Sequence, residues 1–107
     1  MANSHALDRS FDACAHPIRR AILERLAGGE LTVGEASAGL GVSKPTISRH
    51  LKVLEEARAI VRVVDGRTHR LALAAEPLAE AQAWLDAQRA LWERKFDVVE
   101  TYLKENP

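Results

Sequence analysis

Apolar residues along this chain recur first at helical spacing, then with the short period of β-strands, then at helical spacing again. Leu7, Phe11 and Cys14 or Ala15 predict a short first helix. In "HPIRRAILERLAGG", Ile18, Ala21, Ile22 and Leu26 line one face of a second helix. Pro17 stands at its first position, where a missing N–H does no harm, and Gly28–Gly29 ends it. Thr32 and Glu35 have the spacing of a capping box, so a short third helix starts near Val33 and closes at Gly39–Leu40–Gly41. Ser43 caps a fourth helix that runs to about Ala57, with Pro45 tolerated in its first turn. Ile47, Leu51 and Leu54 form its buried stripe.

The period then changes. "AIVRVVD" and "THRLALA" alternate or run β-branched on either side of Asp65–Gly66. Asp-Gly between two apolar runs signals a hairpin, predicted over 60–65 and 68–73. From about Pro77 to 104 the chain reads as one long helix, about 40 Å at ~1.5 Å per residue. Leu78, Leu85, Trp92 and Val99 fall on heptad steps, with Ala81, Phe96 and Leu103 in the companion row. Trp84, Leu85, Leu91, Trp92, Phe96 and Val99 offer more apolar surface than a small core can cover. The seam therefore predicts a partner helix, most simply that of a second copy. The fold class is mainly α with a small β-hairpin. A single winged helix-turn-helix domain is expected over residues 1–107. Its helix-turn-helix covers about 32–57, its wing about 60–73 and its C-terminal dimerisation helix about 77–104.

Composition narrows the class. Hydrophobic residues make up 47% and charged residues 28%, so a folded core is expected rather than disorder. The single cysteine, Cys14, excludes an internal disulfide and a cysteine-rich zinc site. It is read as a small buried hydrophobe rather than a redox centre. His5, His16, His50 and His69 stand at no ligand spacing, so neither metal nor cofactor is expected. "MANSHALDRS" lacks the apolar core of a signal peptide, and no apolar run is long enough to span a bilayer. A cytoplasmic protein with no membrane partner is the expectation. No glycine-rich phosphate loop and no nucleophile–histidine–carboxylate pattern appears, so the chain is not expected to be an enzyme.

The net charge is zero, but it is unevenly spread. Residues 43–73 carry Lys44, Arg49, Lys52, Arg58, Arg62, Arg67 and Arg70 against Glu55, Glu56 and Asp65, a net +4. Residues 1–42 come to −1 and residues 74–107 to −3. A local basic patch, not the total, is the footprint of a polyanion partner. On the 43–57 helix, Lys44, Ser48 and Lys52 share a row, Thr46 and His50 a second, with Arg49 alongside. Thr46, Ser48 and Arg49 are the candidates for base contacts, Arg49 for a bidentate guanine contact. Lys44, His50, Lys52 and the amides near Ser43 are the candidates for phosphates. His50 reads equally well as a residue packed between helices. The hairpin adds Arg62, Arg67, His69 and Arg70. Double-stranded DNA is thus the expected partner. A winged-helix module that binds protein is the alternative.

"HPIRRAILERL", "LTVGEASAGLGVSKPTISRHLKVLEEA" and "DGRTHRL", in this order and at these spacings, resemble the ArsR-type winged helix-turn-helix regulators. The resemblance covers roughly residues 7–75, with "SRHLKVL" especially close to the family's recognition helix. It implies a homodimeric regulator, usually a repressor, bound to an operator. It also implies that the first helix, through Leu7 and Phe11, joins Leu78, Leu85, Trp92, Phe96 and Val99 in the dimer interface. Many members of that family sense metals through thiolates before the recognition helix or through histidines on the last helix. Here the first stretch reads "LTVGEAS" and the last helix has no histidine. Any small-molecule effector is therefore of unknown identity.

Overall fold

Side-chain caps set the starts of three helices in the computed structural model, which describes the backbone of residues 2–106 and the side chains of residues 5–106. Met1 and Pro107, both within the predicted domain, lie outside the described residues. Helix α1 runs Ala2–Cys14 and α2 runs Pro17–Leu26. His16 caps α2: its Nδ1 accepts from the Ile18 amide at 3.1 Å, a role its sequence context did not announce. Thr32 and Glu35 make the capping box that starts α3, Val33–Ser37. The Thr32 amide and hydroxyl hold the Glu35 carboxyl below its ordinary pKa. Ser43 caps α4, Lys44–Glu56.

Helix α4 ends in a Schellman motif. The Ala59 amide donates to the Leu54 carbonyl at 2.9 Å and the Arg58 amide to the Glu55 carbonyl at 3.0 Å. Arg58 takes the left-handed position, φ 59°, that glycine fills most easily. Arg58→Gly is therefore expected to stabilise the protein by roughly 0.5–1 kcal/mol, the left-handed penalty less glycine's added freedom when unfolded. Urea unfolding at fixed protein concentration measures it. A destabilised variant would mean that the arginine side chain outweighs the backbone strain.

Strands β2, Ile60–Asp65, and β3, Thr68–Leu73, form the expected hairpin. Asp65 pairs with Thr68, so the loop is Gly66–Arg67, with Gly66 at φ 61° where a two-residue turn wants glycine first. A two-residue strand β1, Leu31–Thr32, pairs with β3 and completes a sheet of order β1-β3-β2. Two residues are too few to show a period, so the hairpin pattern did not reveal it.

The core lies between the helices and one face of the sheet. Ile22 and Leu26 of α2 meet Ile47, Leu51 and Leu54 of α4, and Ile60 and Leu71 close it from the sheet. Leu23 joins them, whereas Ala21 and Ile18 of the predicted stripe are only half-buried. Cys14 is half-buried against this core.

The arginines of α2 work as caps for neighbouring helices. Arg19, 9% exposed, donates to the Asp12 carbonyl at 2.6 and 3.0 Å and to the Ala13 carbonyl at 3.3 Å. Arg20 donates to the Cys14 carbonyl at 2.7 Å. Arg25 reaches the Ala36 carbonyl at 3.1 Å, at the end of α3. These carbonyls lie in the last turns of their helices, where intrahelical donors run out, and a cation suits that end of a helix.

Helix α5, Glu76–Glu105, has 30 residues, about 45 Å of helix. Its first turns pack on α1, with Ala81 buried and Phe11 edge-on to Trp84 at 5.6 Å. Beyond them it projects, and the molecule measures 69 × 31 × 22 Å.

Candidate nucleic-acid interface

The start of α4 gathers polar groups on an open surface. Ser43 Oγ accepts from the Thr46 amide at 3.3 Å and lies 2.9 Å from the Thr46 hydroxyl. That cap fixes the first turn; Pro45 has no N–H and the Ile47 amide bonds the Ser43 carbonyl at 3.0 Å, so the Lys44 amide is the donor left at the positive end of the helix dipole. Lys44, Ser48, Arg49 and Lys52 are exposed, while Ile47, Leu51 and Leu54 on the opposite side are buried. Thr46 is half-buried, and its hydroxyl is engaged with the cap.

His50 is placed differently. Its Nδ1 faces Arg19 Nη1 at 3.2 Å, and its ring lies 4.4 Å from that of His16. The packed alternative describes this geometry, and any phosphate contact is left to Nε2. Burial, then the neighbouring His16, Arg19 and Arg49, push the pKa of His50 down.

The hairpin separates the four wing candidates. Arg62 and His69 share the face turned toward α4. Arg62 binds Glu55 Oε1 at 2.6 Å and His69 Nδ1 at 3.1 Å, so both fasten the wing root to the helix. Glu55 lies seven residues before Arg62, a distance in sequence that gave no hint of the pair. Arg70 lies on the other face, 3.9 Å from Glu30. Arg67 is exposed at the hairpin tip, beside Gly66. Arg62 is thus tied inside the chain, and the tip offers Arg67.

A second surface lies along α5. Leu7 and Leu78 are half-buried in the packing of α1 on α5. Leu85, Trp92, Phe96 and Val99 are exposed, Trp92 by 59% and Phe96 by 66%. Val98 and Tyr102 belong to the same apolar surface and went unnamed in the sequence pattern. Their signal was present: Trp84, Leu91 and Val98 also fall on heptad steps, about 100° round the helix from Leu85, Trp92 and Val99. The face is therefore wider than a two-stranded seam needs.

Among the described residues no group of three or more His, Cys, Asp or Glu side chains could hold a metal ion, and no helix is long and apolar enough to cross a membrane.

The sequence model of a family described as "Helix-turn-helix domain" matches residues 15–64. The HTH-type transcriptional regulator Rv2034 of Mycobacterium tuberculosis is 50% identical over 60 residues, 56% of this chain and 56% of that protein. The transcriptional repressor SdpR of Bacillus subtilis is 41% identical over 54 residues, 50% of this chain and 60% of that protein. The chain thus spans less than two thirds of the length of either relative. A solved structure of an ArsR family transcriptional regulator superposes with TM-score 0.80 at 36% identity, over 84% of this chain and 93% of that one. An ArsR-like transcriptional regulator from Rhodococcus sp. RHA1 shares the fold, with TM-score 0.78 at 23% identity over 94% of this chain and 95% of that one.

Proposed function

From the premise that the chain belongs to the ArsR family of winged helix-turn-helix transcriptional regulators, we propose that it is a homodimeric DNA-binding repressor. The observation that carries this is the start of α4, where a capped, dipole-positive helix end presents Lys44, Ser48, Arg49 and Lys52 to solvent. The two curated relatives are named as a regulator and a repressor.

The parts are the helix-turn-helix over 32–57, the wing over 60–73 and the C-terminal helix. An α-helix fits the major groove, and its N-terminal residues approach base edges. Arg49 and Ser48 read bases, and Thr46 joins them with the donor or lone pair that its bond to Ser43 leaves free. Lys44, through its side chain and its backbone amide, and Lys52 hold phosphates. Arg67 enters the neighbouring minor groove or meets its phosphates, with Arg70 behind it. Arg62 and His69 act indirectly, by fixing the wing to α4 through Glu55. Leu7, Phe11, Leu78, Leu85, Trp92, Phe96 and Val99 meet a second copy. Two recognition helices then lie about one DNA turn, ~34 Å, apart on a roughly palindromic operator.

The test is titration of duplex DNA from the protein's own upstream region, against a scrambled duplex, across a salt series. Selective binding that weakens steeply with salt supports the reading. Absence of binding to any duplex at low salt would move the basic surface to a protein partner. On a bound operator, Arg49→Ala is expected to lose about 1–3 kcal/mol and to flatten base preference at one position per half-site. An equal loss on every sequence would make Arg49 a phosphate contact.

A further inference from the structure

His50 of α4 and His16, the cap of α2, have no part in the contacts proposed above, yet they sit where α1, α2 and α4 meet. His50 Nδ1 faces the Arg19 guanidinium at 3.2 Å. A guanidinium only donates, so this nitrogen must be the acceptor and carries no proton. His16 Nδ1 accepts from the Ile18 amide at 3.1 Å, which is also only a donor. Geometry alone thus requires both rings to have an unprotonated Nδ1. Their centroids are 4.4 Å apart. The titratable and charged groups around His50 are His16 just before α2, Arg19 on α2, Arg49 on α4, and Asp12 on α1, which reaches Arg19 Nη2 at 3.4 Å. Three of these four neighbours are basic, and the single carboxylate lies on the far side of Arg19.

We infer that Arg19, His16 and His50 form a proton-sensitive lock that seats the recognition helix, so that mild acid loosens α4 against α2 and weakens DNA binding. Arg19 is its positioning residue, holding the end of α1 with one side of the guanidinium and α4 with the other. A proton on His50 Nδ1 would set donor against donor and a cation against Arg19. The ring must then swing away, and α4 loses its polar tie to α2 while the apolar packing of Ile47, Leu51 and Leu54 remains. The lowered pKa of His50 agrees with this sign. The folded state prefers the neutral ring, so the stabilisation is whole above the ordinary histidine range and is lost as pH falls through the folded value. The effect runs against the general trend, because added positive charge ordinarily strengthens binding to DNA.

This inference rests on the DNA-binding reading, and the experiment separates the two. A duplex selected from a random pool by the wild-type protein at about pH 8 is the probe, with affinities measured at about pH 8 and about pH 5.5. His50→Asn is the chief variant, because its Oδ1 replaces Nδ1 as acceptor without titrating; His50→Gln is the second. Wild-type affinity is expected to fall about tenfold more on acidification than that of His50→Asn. The protection of α4 amides in the free protein, taken relative to the intrinsic exchange rate at each pH, should fall in acid for wild type and not for the variant. Equal pH dependence in wild type and both variants, or unchanged protection of α4 in acid, overturns the lock. If no duplex is selected at about pH 8, the DNA-binding reading fails, and α4 exchange still decides the lock.

Discussion

Trp92→Glu is expected to leave the chain monomeric and to remove most of its affinity for DNA. Trp92 is 59% exposed on α5, 6.0 Å from Phe96, and the described residues of the same chain do not cover it. A face this apolar is usually buried against another molecule. In a twofold interface the substitution occurs twice, and each carboxylate taken out of water without a partner costs several kcal/mol. Dimerisation should weaken by more than about a thousandfold, on the order of 4 kcal/mol. A monomer holds one half-site without the gain of a linked second contact, so operator affinity should drop by about a hundredfold or more. Sedimentation gives the first quantity and duplex titration the second. Ala90→Glu, which puts the same charge near the opposite side of α5, should change neither. A Trp92→Glu protein that remains dimeric would place the interface elsewhere.

Arg19→Met is expected to be the most damaging change of a charged residue to stability, about 3 kcal/mol. The guanidinium is nearly enclosed and spans α1 and α4 at once, through the Asp12 and Ala13 carbonyls and His50 Nδ1. Methionine keeps most of the volume but leaves the Ala13 carbonyl and His50 Nδ1 without their donor in a poorly hydrated place. For a domain of this size the loss corresponds to a fall in Tm on the order of 15 °C. Arg20→Met is the comparison, because its bond to the Cys14 carbonyl is exposed and water can replace it. Thermal and urea unfolding at one protein concentration check both. An Arg19→Met protein within about 0.5 kcal/mol of wild type would reduce Arg19 to an ordinary charge.

The contrast between these arginines shows where sequence reading stops. Arg19, Arg20 and Arg25 lie on a helix with a clear apolar stripe, and nothing local distinguishes them. Whether each meets water or a neighbouring helix end depends on where α1 and α3 lie in space. The same holds in the wing. Arg62, Arg67 and Arg70 looked alike as cations near a turn. Strand register then turned Arg62 toward Glu55 and Arg70 toward the opposite face, and left Arg67 at the tip. His50 sat on a predicted polar row, yet the neighbouring α2 takes up its Nδ1. The basic surface at the start of α4 was legible because Lys44, Ser48, Arg49 and Lys52 need only one helix to bring them together.

What the sequence by itself determined was local. The capping pair Thr32 and Glu35, Pro17, Ser43, the Gly66 turn and the heptad rows of α5 act over a few residues. Their effects on φ/ψ and hydrogen bonding do not depend on the rest of the chain. The order of elements and the winged helix-turn-helix pattern follow from them. What only the tertiary structure decided involves partners far apart in sequence. These are β1 on the edge of the hairpin, the arginine caps between helices, the Arg62–Glu55 tie and the meeting of His16, Arg19 and His50. Such contacts depend on the relative placement of whole elements, which packing of the common core sets and no short-range period records.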